Sequence, residues 1–267
     1  MIPYAFNYHR AQSLEDAQAR LASSPDAKVL AGGQTLIATM KMRLANPSDL
    51  IDISGLKDLS FIRVERDGVR IGAATTHAQV AQSLELRRAL PGLGELAQLI
   101  GDPAVRHLGT LGGSFANNDP AADYPAAAVA LGATIKTTAR EIAAEDFFTG
   151  MFSTALEEQE IVTEVFFPFA QRAAYAKFRN PASRYAMAGV FVAQMADGVR
   201  VAVTGAGSCV FRQAQMEAAL TREFSPAALE GIVVNPSELN SDLHGSAEYR
   251  AQLVAVMAKR AVVAALR

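Results

Sequence analysis

Apolar residues recur at helical spacing through Leu14, Ala17 and Leu21, with acids between them at Glu15 and Asp16. Ser13 stands just before that set, where its hydroxyl would cap a helix whose first turn favours negative charge. Short apolar runs at 28–31, 50–53 and 68–73 predict strands, the last entered through Asp67-Gly68, a favoured hairpin turn. Residues 76–81 open a short helix, and a second at 93–100 is ended by Gly101-Asp102-Pro103. Further strands are predicted at 133–137, 160–167, 174–178, 190–195 and 199–204, and the alanine-rich stretch 121–133 reads as a tightly packed helix. Beyond these, 216–220 is helical, and Ser225-Pro226 gives a cap followed by proline in the first turn. Ser246 caps a long final helix with an apolar stripe of Leu253, Val256, Met257 and Ala264, placing Arg250, Lys259 and Arg260 on its other faces. The fold class expected is α+β.

Two glycine segments interrupt this pattern. Lys28-Val29-Leu30-Ala31 runs straight into Gly32-Gly33-Gln34-Thr35, followed by Leu36, Ile37, Met40 and Leu44 at helical spacing. The second segment, Thr110-Leu111-Gly112-Gly113-Ser114, continues into Asn118-Asp119-Pro120-Ala121-Ala122-Asp123. Without a Cβ, backbone amides come close to a phosphate, and a strand-to-helix junction leaves such amides unpaired. Either segment alone is equally an ordinary tight turn; both together suggest a pyrophosphate held from two sides. No G-x-G-x-x-G occurs at either place, so the Rossmann fingerprint is absent.

Ala31–Leu36, the block Val105-Arg106-His107-Leu108-Gly109-Thr110-Leu111-Gly112-Gly113-Ser114, and Asp119–Asp123 together resemble the FAD-binding medium subunit of the molybdenum hydroxylases, the carbon monoxide dehydrogenase and xanthine dehydrogenase group. Asp242–Arg250 resembles the start of the last helix in that subunit. The resemblance implies a two-part FAD-binding domain of the PCMH/vanillyl-alcohol-oxidase type over 1–170, with subdomains of about 1–54 and 55–170. A smaller α+β domain of sheet plus helices would occupy 171–267, the boundary falling at Pro168-Phe169-Ala170-Gln171, and each part would have its own core.

The resemblance also implies residue roles. Gly32, Gly33, Gln34 and Thr35 would surround the FAD pyrophosphate, with Ala31 and Leu36 beside them in the cofactor site. Thr110, Gly112, Gly113 and Ser114 would form the other wall, through the Thr110 hydroxyl and the Gly113 amide first. Asp123 would accept ribityl hydroxyls, or else cap the helix beginning near Pro125. Leu30, Ile100 and Val162 are apolar pocket walls or ordinary core. Lys177 or Arg179 would stabilise reduced flavin and Tyr185 would cover one face, unless 177–185 is only a solvated hairpin; Arg184 stands before the aromatic where relatives often carry an acid. The segment before Thr110 would be a loop, with His107 structural or at the surface, and His77 a packing or capping residue. Neither histidine has a Ser or Cys arranged for nucleophilic work.

Composition narrows the chemistry. The 267 residues are 50% hydrophobic and 19% charged with a formal net charge of −2, which argues against nucleic acid as a partner. No apolar run approaches the roughly 20 residues that span a bilayer. Met1–Phe6 lacks a basic region and apolar core, so no signal peptide and a cytoplasmic location are expected. The single cysteine, Cys209, cannot hold an iron–sulfur cluster, and the four histidines lack metal-ligand spacing. Redox chemistry therefore falls to an organic cofactor or to metals on other chains. The resemblance supplies both: non-covalent FAD here, with 2Fe-2S clusters on a small subunit and molybdopterin on a large one, as a heterotrimer or a dimer of heterotrimers. Electrons would pass through FAD to NAD, a quinone or another acceptor, and no residue need act as an acid or base. The rival readings are a stand-alone flavin oxidase of the same fold and a binding subunit that has lost its flavin.

Overall fold

The structure, a computed structural model, describes residues 2–267. Its first layer is a parallel sheet in the order β1 (Asn7–Arg10), β3 (Asp49–Asp52), β2 (Lys28–Leu30). Helix α1 (Leu14–Ser23) buries Ala17 and Leu21 beside Ile51 and Ile53, and Ser13 Oγ accepts from the Asp16 amide at 3.2 Å as the sequence predicts. Helix α2 (Leu36–Lys41) follows the first glycine segment. It stops one turn short of the expected apolar set: Arg43 adopts φ 61°, the Leu44 amide turns back to the Thr39 carbonyl, and Leu44 stands 76% exposed.

The second layer is antiparallel, in the order β4 (Ile62–Val64), β5 (Gly68–Gly72), β10 (Val162–Pro168), β6 (Thr134–Thr137), β7 (Glu141–Ala143). Between β5 and β6 the chain is almost wholly helical: α3 (His77–Gln82), α4 (Leu84–Ala89), α5 (Pro91–Gln98), α6 (Pro103–Leu108), α7 (Leu111–Asn117) and α8 (Tyr124–Leu131). Every residue of α8 is buried, as its alanines allow. The expected loop before Thr110 is instead helical. Asp102 caps α6, accepting from the Val105 amide at 2.9 Å, and Pro103 sits in its first turn. The second glycine segment lies inside α7, because Thr110 caps it and Gly112 fits tightly under Ala73, overriding the low helix propensity of paired glycines. A short helix, α9 (Ala144–Phe147), leads into the hairpin β8 (Phe148–Gly150) and β9 (Ser153–Thr154). Asn118 pins that hairpin, its side-chain amide donating to the Gly150 and Ser153 carbonyls at 2.8 and 2.7 Å.

The third layer is a meander of β11 (Arg172–Arg179), β12 (Ala186–Met195), β13 (Gly198–Thr204) and β14 (Phe211–Arg212). Helices α5 and α8 cover one face; α10 (Ala214–Arg222) and α11 (Ala247–Ala265) cover the other. Strand β12 alternates accordingly. Phe191 and Ala193 enter the main core with α8, and Val190 and Val192 enter the core under α11. The main core is therefore continuous from β5 and α8 into this sheet. Two local expectations fail. Ser225-Pro226 starts only a single 3₁₀ turn over Ala227–Leu229. Arg250 is buried rather than on a polar face: its guanidinium donates to the Met187 and Gly205 carbonyls at 2.9 Å and pairs with Asp242 at 2.8 Å. Among the described residues no helix is long and apolar enough to cross a membrane.

Candidate functional site

The two glycine segments meet. A Cβ on Gly32 would collide with the Leu108 carbonyl oxygen and crowd Gly109 Cα at 2.8 Å, so only glycine lets the β2–α2 loop close against the end of α6. Gly33 adopts φ 69°, the left-handed region that glycine occupies without strain. With the chain bent there, the consecutive amides of Gly32, Gly33, Gln34 and Thr35 donate to no acceptor among the described residues. A run of unpaired amides at a left-handed turn is an anion-binding concavity.

Beside this loop lies a cavity of about 560 Å³, within the range of small-molecule and cofactor sites. Every residue nominated from the sequence lines it except Arg179, which is exposed at the end of β11. The second glycine segment contributes differently from expectation. The Gly113 amide donates to Thr110 Oγ1 at 3.2 Å, and the Leu111 and Gly112 amides donate to the Thr75 and Ala73 carbonyls. The Leu111, Gly112 and Gly113 amides are thus engaged within the chain. What the segment offers the cavity is small volume and the hydroxyls of Thr110 and Ser114: a Cβ on Gly113 would meet only Thr110 Oγ1, and is otherwise open.

At the far wall, Asp123 is 5% exposed and sits at the start of α8 without capping it. One carboxylate oxygen accepts from the Tyr175 hydroxyl, the other from Lys177 Nζ at 2.8 Å, and Lys177 also donates to the Leu99 carbonyl at 3.1 Å. Burial pushes the Asp123 carboxyl up, opposed by Lys177 and Tyr175. Lys177 is therefore committed to Asp123 rather than free. Each Asp123 oxygen keeps a lone pair for a further donor. Leu30 and Val162 are both buried and cavity-lining, so their two expected readings coincide. The 180–185 segment is a closed hairpin, with Asn180 Oδ1 accepting from the Ala182 and Ser183 amides, and it turns Tyr185 to the cavity. His107 is exposed on α6 and does not line the cavity.

Sequence reasoning passed over Asp119, Phe152 and Tyr175, and gave His77 only a packing or capping role. His77 and Asp119 line the cavity, and burial raises the Asp119 carboxyl. Phe152, at the tip of the β8–β9 hairpin with φ 52°, also lines it. Asp119 lay within the recognised motif; Tyr175 and Phe152 meet the site only through the tertiary fold.

This geometry, an anion-binding loop opening into a long mixed cavity, agrees with what the chain resembles. Residues 4–170 match the family described as FAD binding domain in molybdopterin dehydrogenase. The chain is 36% identical to the carbon monoxide dehydrogenase medium chain of Hydrogenophaga pseudoflava, over 99% of this chain and 98% of that one. It is also 36% identical to the nicotine 6-hydroxylase medium subunit of Paenarthrobacter nicotinovorans, over 98% and 97%. A solved structure of reconstituted CO dehydrogenase from Oligotropha carboxidovorans superposes with a TM-score of 0.92, at 35% identity and 99% coverage of both chains. The chain belongs to the FAD-binding medium subunits of the molybdenum hydroxylases, on the PCMH-type fold of that family.

Proposed function

We propose that the cavity holds the FAD with its diphosphate on the Gly32–Thr35 amides. The observation that carries this assignment is the run of unengaged donors beside Gly33, which a diphosphate would satisfy. Thr110 and Ser114 add hydroxyls along the second wall, and Leu30, Ile100 and Val162 supply apolar surface. Asp123, fixed by Tyr175 and Lys177, presents its remaining lone pairs to the hydroxyl-bearing middle of the cofactor. Tyr185, from its hairpin, flanks the ring end. Bound FAD supplies the electron-exchange chemistry. The chain's own residues bind it, orient it and exclude water from its phosphates.

The subunit takes electrons from the 2Fe-2S clusters of a small subunit, fed by a molybdopterin large subunit, and passes them to NAD, a quinone or another acceptor. The exposed end of α6 around His107 and the 177–185 segment, part of which lines the cavity, serve as docking contacts. A cytoplasmic site of action suits such an assembly. The chain divides near residue 170: the family match ends there, and the meander begins at Arg172. Binding is non-covalent, because Cys209 lies outside the cavity and His77, its one lining histidine, sits at the glycine-loop end. Acid precipitation of the isolated complex tests this: all yellow colour should enter the supernatant, whereas colour in the pellet would refute it. Turnover of a reduced substrate by the lone chain would replace the subunit reading with that of a free-standing oxidase.

A further inference from the structure

Phe152 stands at the tip of the β8–β9 hairpin, 58% exposed, and contributes to none of the apolar cores. Its φ of 52° lies in the left-handed region, which an aromatic residue adopts only under strain. Glycine would make the same turn freely. The turn is nevertheless held firmly. Asn118, 1% exposed, donates from its side-chain amide to the Gly150 and Ser153 carbonyls on either side of Phe152, and its own carbonyl accepts the Phe152 amide at 3.1 Å. Of residues 150–153, Phe152 alone lines the cavity. A strained, exposed ring clamped at a cavity is explained by a ligand there and not by packing.

The same clamp fixes which end of the cavity the ring meets. Helix α7 carries cavity-lining residues along its length, from Thr110, next to Gly109 and the Gly32 loop, to Asn117, about 10 Å away by the helical rise. Asn118 ends that helix, so Phe152 sits one helix length from the amides of Gly32–Thr35. Asp119 follows and also lines the cavity. Burial first, then the Asp119 charge, raises the Tyr185 hydroxyl, so Tyr185 is near the same corner. Two aromatic side chains from two hairpins thus share the end of the cavity away from the glycine loop. We propose that Phe152 is a further cofactor-binding residue, its ring packing on the isoalloxazine of FAD beside Tyr185. This rests on the assignment of FAD to the cavity. Aromatic rings gain from such contact beyond the area they bury, and Phe152 buries its exposed face only when the cofactor is present.

The test is titration of the flavin-free full chain with FAD and with ADP, read beside melting curves and the visible spectrum of bound flavin. Phe152→Gly should melt no lower than wild type, because glycine relieves the turn, yet bind FAD about 3- to 10-fold more weakly, the worth of one aromatic contact. ADP, which lacks the isoalloxazine, should bind both proteins equally. The visible band of bound FAD should lose vibronic structure in Phe152→Gly, as water takes the place of the ring. Phe152→Tyr should restore both the affinity and the spectrum. Full FAD affinity in Phe152→Gly, an equal loss of ADP affinity, a lowered melting point or an unchanged flavin band would each overturn the proposal. A wild-type chain that binds neither FAD nor ADP would instead sink the FAD assignment itself.

Discussion

Gly32, Gly33 and Gly113 do three different things. Gly32 permits a backbone-to-backbone contact with Leu108 and Gly109; Gly33 holds a left-handed turn; Gly113 leaves room in the cavity. Their substitutions should separate accordingly. Gly32→Ala should lower both thermal stability and FAD occupancy, because its Cβ has only backbone to displace. Gly113→Val should leave the melting curve within a few degrees of wild type, since valine in a helix costs under about 1 kcal/mol relative to alanine. It should nevertheless weaken FAD at least tenfold by filling cavity space. Melting curves and flavin titrations on the two variants check the pair; a Gly113→Val protein with full FAD affinity would show that this glycine faces no ligand. The glycines themselves were legible in the sequence, but their division of labour was not. The Gly32 contact reaches to Leu108, and Asp123 meets Tyr175 and Lys177 across the third layer, pairings that no local pattern encodes.

At the scale of elements, caps and turns carried most of the readable signal. Ser13, Thr76 and Ser246 each accept a hydrogen bond from the first turn of the helix they precede. Helices α6 and α7 escaped notice because glycine pairs and a proline obscure a helical pattern that Asp102 and Thr110 in fact cap. Helix α11 misled through Arg250, since charge suggests solvent while its guanidinium instead satisfies two buried carbonyls. Arg250→Leu should destabilise the protein by about 3 kcal/mol, by stranding those acceptors. Asp242→Asn should cost under about 1 kcal/mol, because Asp242 is partly exposed. Denaturant unfolding of both variants reads the difference, and equal effects would contradict it. A second element-level tie is Glu160, whose carboxylate meets Arg140 at 3.0 Å, Thr137 Oγ1 at 2.7 Å and the Glu157 amide at 2.9 Å. These partners, the Arg140 hydrogen bond foremost, lower its carboxyl to about 2 from the ordinary 4.5. The folded-state value is depressed, so the stabilisation is complete above pH 4.5 and is lost as pH falls toward 2. Thermal midpoints measured across that window should fall less steeply in Glu160→Gln than in wild type; identical slopes would remove Glu160 from the account.

For the whole molecule, three layers place one cavity where the parallel sheet, the helical segment and the meander converge. The α+β class was readable from the alternation of helical and strand spacings, and the family from the two glycine segments, although the second lies inside α7. The continuous core from α8 into β12 was not, because burial on both faces gives a strand no alternation to read. A chain without cluster ligands of its own should co-elute from host extract with iron–sulfur and molybdopterin subunits, and elution alone with full activity would contradict this. The most direct measurement is titration of the flavin-free chain with FAD, followed by visible absorption. The account predicts saturation at one FAD per chain, released entirely by acid, and abolished or strongly weakened by Gly33→Val. Absence of saturable FAD binding, or binding that Gly33→Val leaves unchanged, would contradict it.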